Sequence, residues 1–120
     1  MARRGRMGLS SRRFDNRFTV TEANVSRDEL GTSPGAGAIG IWAASTAVDG
    51  LLTVRIGARI QLNRQTIPLE ATLAINTLND GPLATAQVRP GDRITVDYVE
   101  VTAGTARIIV EFLGADLGIS

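Results

Sequence analysis

From residue 51 onward the chain alternates between apolar and polar residues. Val54, Ile56, Ala58, Ile60 and Leu62 interleave with Thr53, Arg55, Gly57, Arg59 and Gln61, which is the two-residue period of a strand with one buried face. Ile67, Leu69, Ala71, Leu73 and Ile75 resume the pattern beyond the polar Asn63-Arg64-Gln65-Thr66. Folding the two runs about that tetrapeptide sets Ile60 opposite Leu69 and Arg59 opposite Glu70, with all the apolar pairs on one face. Pro68 has no N–H to donate, so the second run is expected to carry an unpaired side or a bulge there.

Beyond this pair, Asn79-Asp80-Gly81-Pro82 predicts a turn, Leu83 to Arg89 a shorter strand, and Pro90-Gly91-Asp92 another turn. Arg93–Val101 and Thr105–Leu113 then read as a closing hairpin around Thr102-Ala103-Gly104. A two-residue Ala-Gly loop would place Glu100 opposite Arg107. A type I turn with Gly104 as the left-handed bulge residue suits the turn chemistry better. It also sets Ile94, Val96 and Tyr98 on one face with Ala106, Ile108, Val110 and Phe112.

The first half is less regular. Residues 1–17 show no hydrophobic period and would be disordered alone. Phe18 to Thr21 can begin a strand. Ser26-Arg27-Asp28-Glu29 matches a capping box, but Gly31 would end a helix there after one turn. Residues 31–40 form a Gly-rich connection containing Pro34, expected to be irregular and surface-lying. Ile39 to Ala44 could be a buried strand or the start of a helix, and periodicity does not decide between them.

Short strands separated by Gly, Pro, Asp and Asn turns, without intervening helical patterns, imply an all-β fold. The expected form is a single antiparallel β-sandwich, jelly-roll-like, or a small barrel. With 120 residues, 43% of them apolar, the chain suffices for one domain with a modest core. No apolar stretch approaches the length of a membrane span, and no secretory leader is evident. A soluble intracellular product is therefore expected.

Charge divides the molecule. Arg3, Arg4, Arg6, Arg12, Arg13 and Arg17 fall within residues 1–17 against Asp15 alone, giving +5. Residues 18–120 carry seven arginines against eleven acids, giving −4. This predicts a basic extended arm over 1–17 and a β domain over 18–120, with the six arginines as the contact residues for an anionic partner.

The chemistry the chain could support is narrow. It has no His, Cys or Lys. The Ser–His and Ser–Lys nucleophile arrangements, thiolate metal sites and Walker phosphate loops cannot be assembled. Gly35-Ala36-Gly37-Ala38-Ile39-Gly40 spells the dinucleotide fingerprint, but no strand–helix unit surrounds it and no acid stands about twenty residues on. Asp97 and Glu100 are three apart on a strand, so they point to opposite faces and make a poor acid pair. Asp97 is expected to be a solvated residue near Arg107. Asp80, Asp92 and Asp116 sit at turns without the spacing of a cation loop. No enzyme, cofactor or metal is expected.

A Cys-free β-sandwich with an arginine-rich arm, a Gly-rich connection and an Ile/Val/Leu/Ala core resembles small virion proteins, the capsid subunits and capsid-cement proteins of viruses and phages. The resemblance covers overall layout and no signature motif. It implies a structural protein made in the host cytoplasm and placed in the virion. Such a protein would be a symmetric homo-oligomer, a trimer for preference, whose arm reaches a neighbouring subunit or the genome. Val99, Val101 and Ile109, continued by Leu113, Leu117 and Ile119, are expected to leave apolar strand surface for such an assembly. The alternative is a nucleic-acid-binding module gripping phosphates through the arm, although the sheet strands offer only Tyr98 and Phe112 for stacking bases.

Overall fold

A computed structural model describes residues 11–47 and 49–114. Its elements run β1 (Ser11–Phe18), α1 (Arg27–Leu30), β2 (Gly37–Ser45), β3 (Leu51–Ile56), β4 (Arg59–Thr66), β5 (Ala84–Val88), β6 (Ile94–Val99) and β7 (Ala106–Gly114). The strands form two antiparallel sheets, ordered β1-β7-β2-β5 and β4-β3-β6. Strand alternation turns their apolar faces toward each other. Ala106, Ile108, Val110 and Phe112 of β7, with Phe14, Ile39 and Ile41 beside them, share one core with Leu52, Val54 and Ile56 of β3 and Ile94, Val96 and Tyr98 of β6. Full burial of each large apolar side chain stabilises by about 1.5–3 kcal/mol. The all-β expectation holds, as two packed sheets.

The first sheet is covered on its outer face as well. Trp42, Ala44 and Ile109 point away from the core yet are buried. Trp42 and Ala44 lie beside the connection formed by residues 67–83, a strap bonded to β2 and to Arg107 of β7. Ser45 N–H donates to the Pro68 carbonyl at 2.9 Å, and Glu70 N–H donates back to Ser45 at 2.8 Å. The Trp42 indole N–H donates to the Asp80 carbonyl at 2.9 Å. Leu83 N–H then closes on Ile41 at 2.7 Å. This explains why residues 39–44 show no period: a central strand buried on both faces has no polar side to alternate with. Ile109, expected on an exposed outer face, is fully buried.

Several expected pairings are replaced. The strand beginning at Leu51 turns at Gly57-Ala58, not at Asn63–Thr66. Gly57 has φ +60° and Ala58 an ordinary φ, the requirement of a type II′ turn. Val54 therefore pairs with Leu62, and Ile60 lies opposite Arg55, 56% exposed. Residues 67–75 are strap, and the Arg59–Glu70 pairing does not form. The alternation misled because it runs through the turn without a break in period. Likewise β6 and β7 are not a hairpin: β6 pairs with β3, and β7 with β1 and β2. Their apolar sets do meet, but across the core. Gly104 is not among the positive-φ glycines; a Cβ there would come within 2.9 Å of Thr46 Oγ1, so it is a close-packing position.

The helix is one turn, capped by Gly31 with right-handed backbone angles; a Cβ there would lie 2.6 Å from the Arg27 carbonyl oxygen, so the position has room only for glycine. Ser26 makes no side-chain cap and instead donates to Leu30 O at 3.3 Å. The Gly-rich connection ends early, because Gly37 already belongs to β2. Asp92 N–H reaches Arg89 O at 3.1 Å around Gly91 at φ +83°, the expected turn. The segment 22–32 runs along the outer edge of β6. Glu22 and Tyr98 exchange backbone bonds of 2.9 Å, Val25 N–H donates to Val96, and Thr32 bridges Arg93.

Candidate interaction site on the arginine strand

Part of the segment expected to be an extended basic arm is a strand. β1 spans Ser11–Phe18 and pairs along its whole length with β7, from Ser11 opposite Leu113 to Phe18 opposite Ala106. Phe14 is the residue that anchors it, 4% exposed and opposite Val110. One buried aromatic in an edge strand is enough to attach it, though too little to register as a period. The expected boundary between residues 17 and 18 falls inside this strand.

Three of the expected contact residues, Arg3, Arg4 and Arg6, lie outside the described residues. The other three are on β1 but do not form one patch, because alternation separates them. Arg13 and Arg17 share a face with Asp15, whereas Arg12 lies on the face of Phe14. Arg13 is engaged internally, 3.6 Å from Asp15 and 3.5 Å from Glu111. Asp15 in turn accepts a two-bond fork from Arg107, Nε to Oδ1 at 2.9 Å and Nη2 to Oδ2 at 2.7 Å. Arg107 Nη1 continues to the Leu73 carbonyl of the strap at 3.1 Å. The Arg107 hydrogen bond holds the Asp15 carboxyl below its ordinary range, partly opposed by burial and helped by the Arg13 charge. The same bond raises Arg107. Arg107 thus pairs with Asp15, and Glu100 instead accepts from the Tyr98 hydroxyl at 3.1 Å. Burial first, and Glu100 second, push the Tyr98 phenol up to about 12.

Arg12 and Arg17 have no ion-pair partner among the described residues. Arg17 lies opposite Arg107, whose guanidinium is already held by Asp15. Arg12 opens onto a polar groove of about 590 Å³ with Asn24, Arg27 and Arg93. Arg27 is tied to Glu22 at 3.4 Å and to the Ala23 and Asn24 carbonyls. Arg93 reaches this place through its bridge to Thr32, a non-local pairing that no linear spacing marks. β1 and β4 each end a sheet, so one side of each backbone offers unpaired ladder groups among the described residues.

The other candidate chemistries resolve into structural roles. Asp97 pairs with Arg55 at 3.1 Å and accepts from Asn24 N–H at 2.8 Å, correcting the placement near Arg107. Asp80 and Asp92 accept from backbone N–H groups of Asn76 and Arg89 within their own turns, and Asp116 lies outside the described residues. Gly37 to Gly40 of the dinucleotide spelling are strand, with no helix after them. Gly40 instead makes room for Trp42, since a Cβ there would lie 2.8 Å from two indole carbons. Among the described residues no group of three or more His, Cys, Asp or Glu lies together, and no helix is long and apolar enough to cross a membrane. No protein-family model, curated protein or solved structure matches this chain.

Proposed function

We propose that this chain is a structural assembly subunit of the capsid or capsid-cement kind, a virion component that associates with copies of itself. Its N-terminal arginines and the open edge of β1 would dock on neighbouring subunits. One support for this reading is the nesting of the strand pairs. With residues 22–32 counted as a second strand position, first pairs with eighth (β1–β7) and second with seventh (22–32 with β6). Third pairs with sixth (β2–β5), and fourth with fifth (β3–β4). A nested antiparallel ladder wrapped into two sheets by the β7–β2 and β6–β3 contacts is the logic of a jelly roll. That architecture serves capsid, lectin and cupin domains alike, so the fold by itself does not choose among them.

The arginines favour assembly. Arg3, Arg4 and Arg6 stand a few residues before β1 in the sequence, and Arg12 and Arg17 stand near opposite ends of it without ion-pair partners among the described residues. Charges presented along a sheet edge suit docking onto another subunit, a surface of opposite charge. Nucleic acid is the second reading, favoured by the guanidinium groups of Arg12, Arg27 and Arg93 around one groove.

Size-exclusion with light scattering on the full chain and on a chain lacking residues 1–10 tests both readings. The full chain should be an oligomer, a trimer for preference, and the truncation should weaken it while leaving the circular dichroism unchanged. Binding to added DNA that falls steeply with salt, at a log–log slope of about 0.9 per phosphate neutralised, would favour the second reading. A full chain that stays monomeric and binds no DNA would refute both.

A further inference from the structure

We propose that the cavity over Trp42 is a receptor for an arginine from residues 1–10 of a second copy of this chain, an inference that rests on the assembly reading above. The cavity holds about 240 Å³ between the outer face of the first sheet and the strap, lined by Trp42, Leu69, Glu70, Ile75 and Asp80 among others. That is below the range of about 300–1,000 Å³ usual for small-molecule sites and suits a single side chain.

Its chemistry is that of a cation site. Residues 67–83 contain Glu70 and Asp80 and no basic residue. Neither carboxylate has an ion-pair partner among the described residues. Glu70 Oε1 accepts from Thr72 at 3.1 Å, and Asp80 Oδ2 accepts from Asn76 N–H at 2.8 Å. Each therefore keeps an oxygen with no hydrogen bond among the described residues. Arg107, beside Ala44 in the β2–β7 register, is neutralised by Asp15. A guanidinium matches this setting better than an ammonium, because its planar fork bonds carboxylates while its face stacks on an indole. Bonds from the strap to Trp42, Ser45 and Arg107 hold the receptor in shape before anything binds, which lowers the ordering cost of docking. Leu69, 58% exposed, and Leu78, 92% exposed, give the same surface apolar contact area.

Residues 1–10 supply the complement: Arg3, Arg4 and Arg6 with no acid. Chain direction favours a second copy, because a chain's own residues 1–10 would have to turn back along the sheet to reach its cavity. Ser11 is opposite Leu113, which is opposite Ala38, while the cavity lies over Trp42–Ala44. At about 3.3 Å per residue that is roughly 13–20 Å further along the sheet, toward the Phe18 end of β1. The chain thus enters β1 at the end remote from its own cavity.

Trp42 is the sole tryptophan, so its emission reports on the site. In the full chain, emission should change with concentration in step with the mass from light scattering. Glu70→Gln, at an exposed side chain, and a triple Arg3→Gln, Arg4→Gln, Arg6→Gln variant should each shift the association midpoint about tenfold. Combining them should add little. Excess peptide of residues 1–10 should dissolve the assembly while keeping the emission change. A midpoint moved by the arginine variant but not by Glu70→Gln would overturn the receptor and leave the assembly reading standing. An emission change at constant monomer mass would overturn the second copy as the source. A chain that stays monomeric, with emission unmoved by the peptide, would remove the assembly reading and this inference together.

Discussion

Phe14 sits in the middle of a stretch whose composition is that of a basic tail, so Phe14→Ala tests whether that stretch is a strand. The side chain is 4% exposed, opposite Val110, and its ring centroid lies 6.2 Å from that of Phe18. Truncating a buried phenylalanine to alanine costs about 3–5 kcal/mol, the transfer loss plus a cavity that relaxes only in part. β1 ends its sheet and can collapse inward, which places the expectation near the lower value, about 3 kcal/mol. Against a total of about 5–15 kcal/mol for a domain, that is a large share. With a urea slope of about 1.5 kcal/mol per molar, the midpoint should fall by about 2 M.

The assay is urea unfolding followed by Trp42 emission and by circular dichroism, which should coincide. Arg12→Gln, two residues away and exposed, is the control and should move stability by less than about 0.5 kcal/mol. A Phe14→Ala midpoint within about 0.5 M of the parent would refute the strand and return residues 11–17 to a tail. The same logic moves the dispensable portion: removing residues 1–10 should leave the circular dichroism of the fold unchanged, whereas removing 1–17 takes away a core-contributing strand and should not.

Acid should weaken the Asp15–Arg107 link. Because the folded-state carboxyl is depressed, its contribution is complete above the ordinary carboxylate range and disappears as pH falls through the lowered value. The melting temperatures of wild type and Asp15→Asn should therefore differ at neutral pH and converge in strong acid; a constant gap would contradict the pairing. Gly91→Ala should cost on the order of 1 kcal/mol in a urea melt because the residue sits at φ +83°, and an unchanged melt would mean the turn relaxes. Gly104→Val should destabilise by about 1–3 kcal/mol through overpacking against Thr46 and Ala47, and a crystal structure of it should show those two residues displaced. Leu73→Asp places a charge at a buried strap position and should loosen the strap, read as increased exposure of Trp42 to a quencher.

Which residues are apolar and inward was legible in the sequence; which strands share a sheet was not. Ile94, Val96 and Tyr98 alternate in phase with Ala106, Ile108, Val110 and Phe112 and stand close to them in sequence, which predicts a hairpin. They do meet, but face to face across the core, since a short connection after β6 can cross between sheets as readily as it can reverse within one. Alternation reports a buried face and carries no information about the neighbour. Leu51–Leu62 shows the companion failure: Gly57 and Ala58 occupy one polar and one apolar slot, so a two-residue turn preserves the period and hides itself. Asn63–Thr66, polar throughout, looked like the turn and is an exposed edge strand.

The arginine strand shows why the site was harder to read than the core. Seen linearly, six arginines and one aspartate make a uniform positive segment. Folded, β1 brings Arg13, Asp15 and Arg17 against Glu111, Ile109 and Arg107, and the single acid becomes the most connected member, bound to two guanidinium groups. Asp15 ties β1 to Arg107, and Arg107 ties the sheet to the strap at Leu73, so one carboxylate joins three parts of the chain that lie far apart in sequence. The positive charge left for a partner is therefore smaller than the count of +5 for residues 1–17 suggests, and it sits at the ends of the strand and in the residues before it. That redistribution separates a structural arginine from one that can dock. Arg13→Gln should cost fold stability with little effect on association, and Arg3, Arg4 and Arg6 should do the reverse.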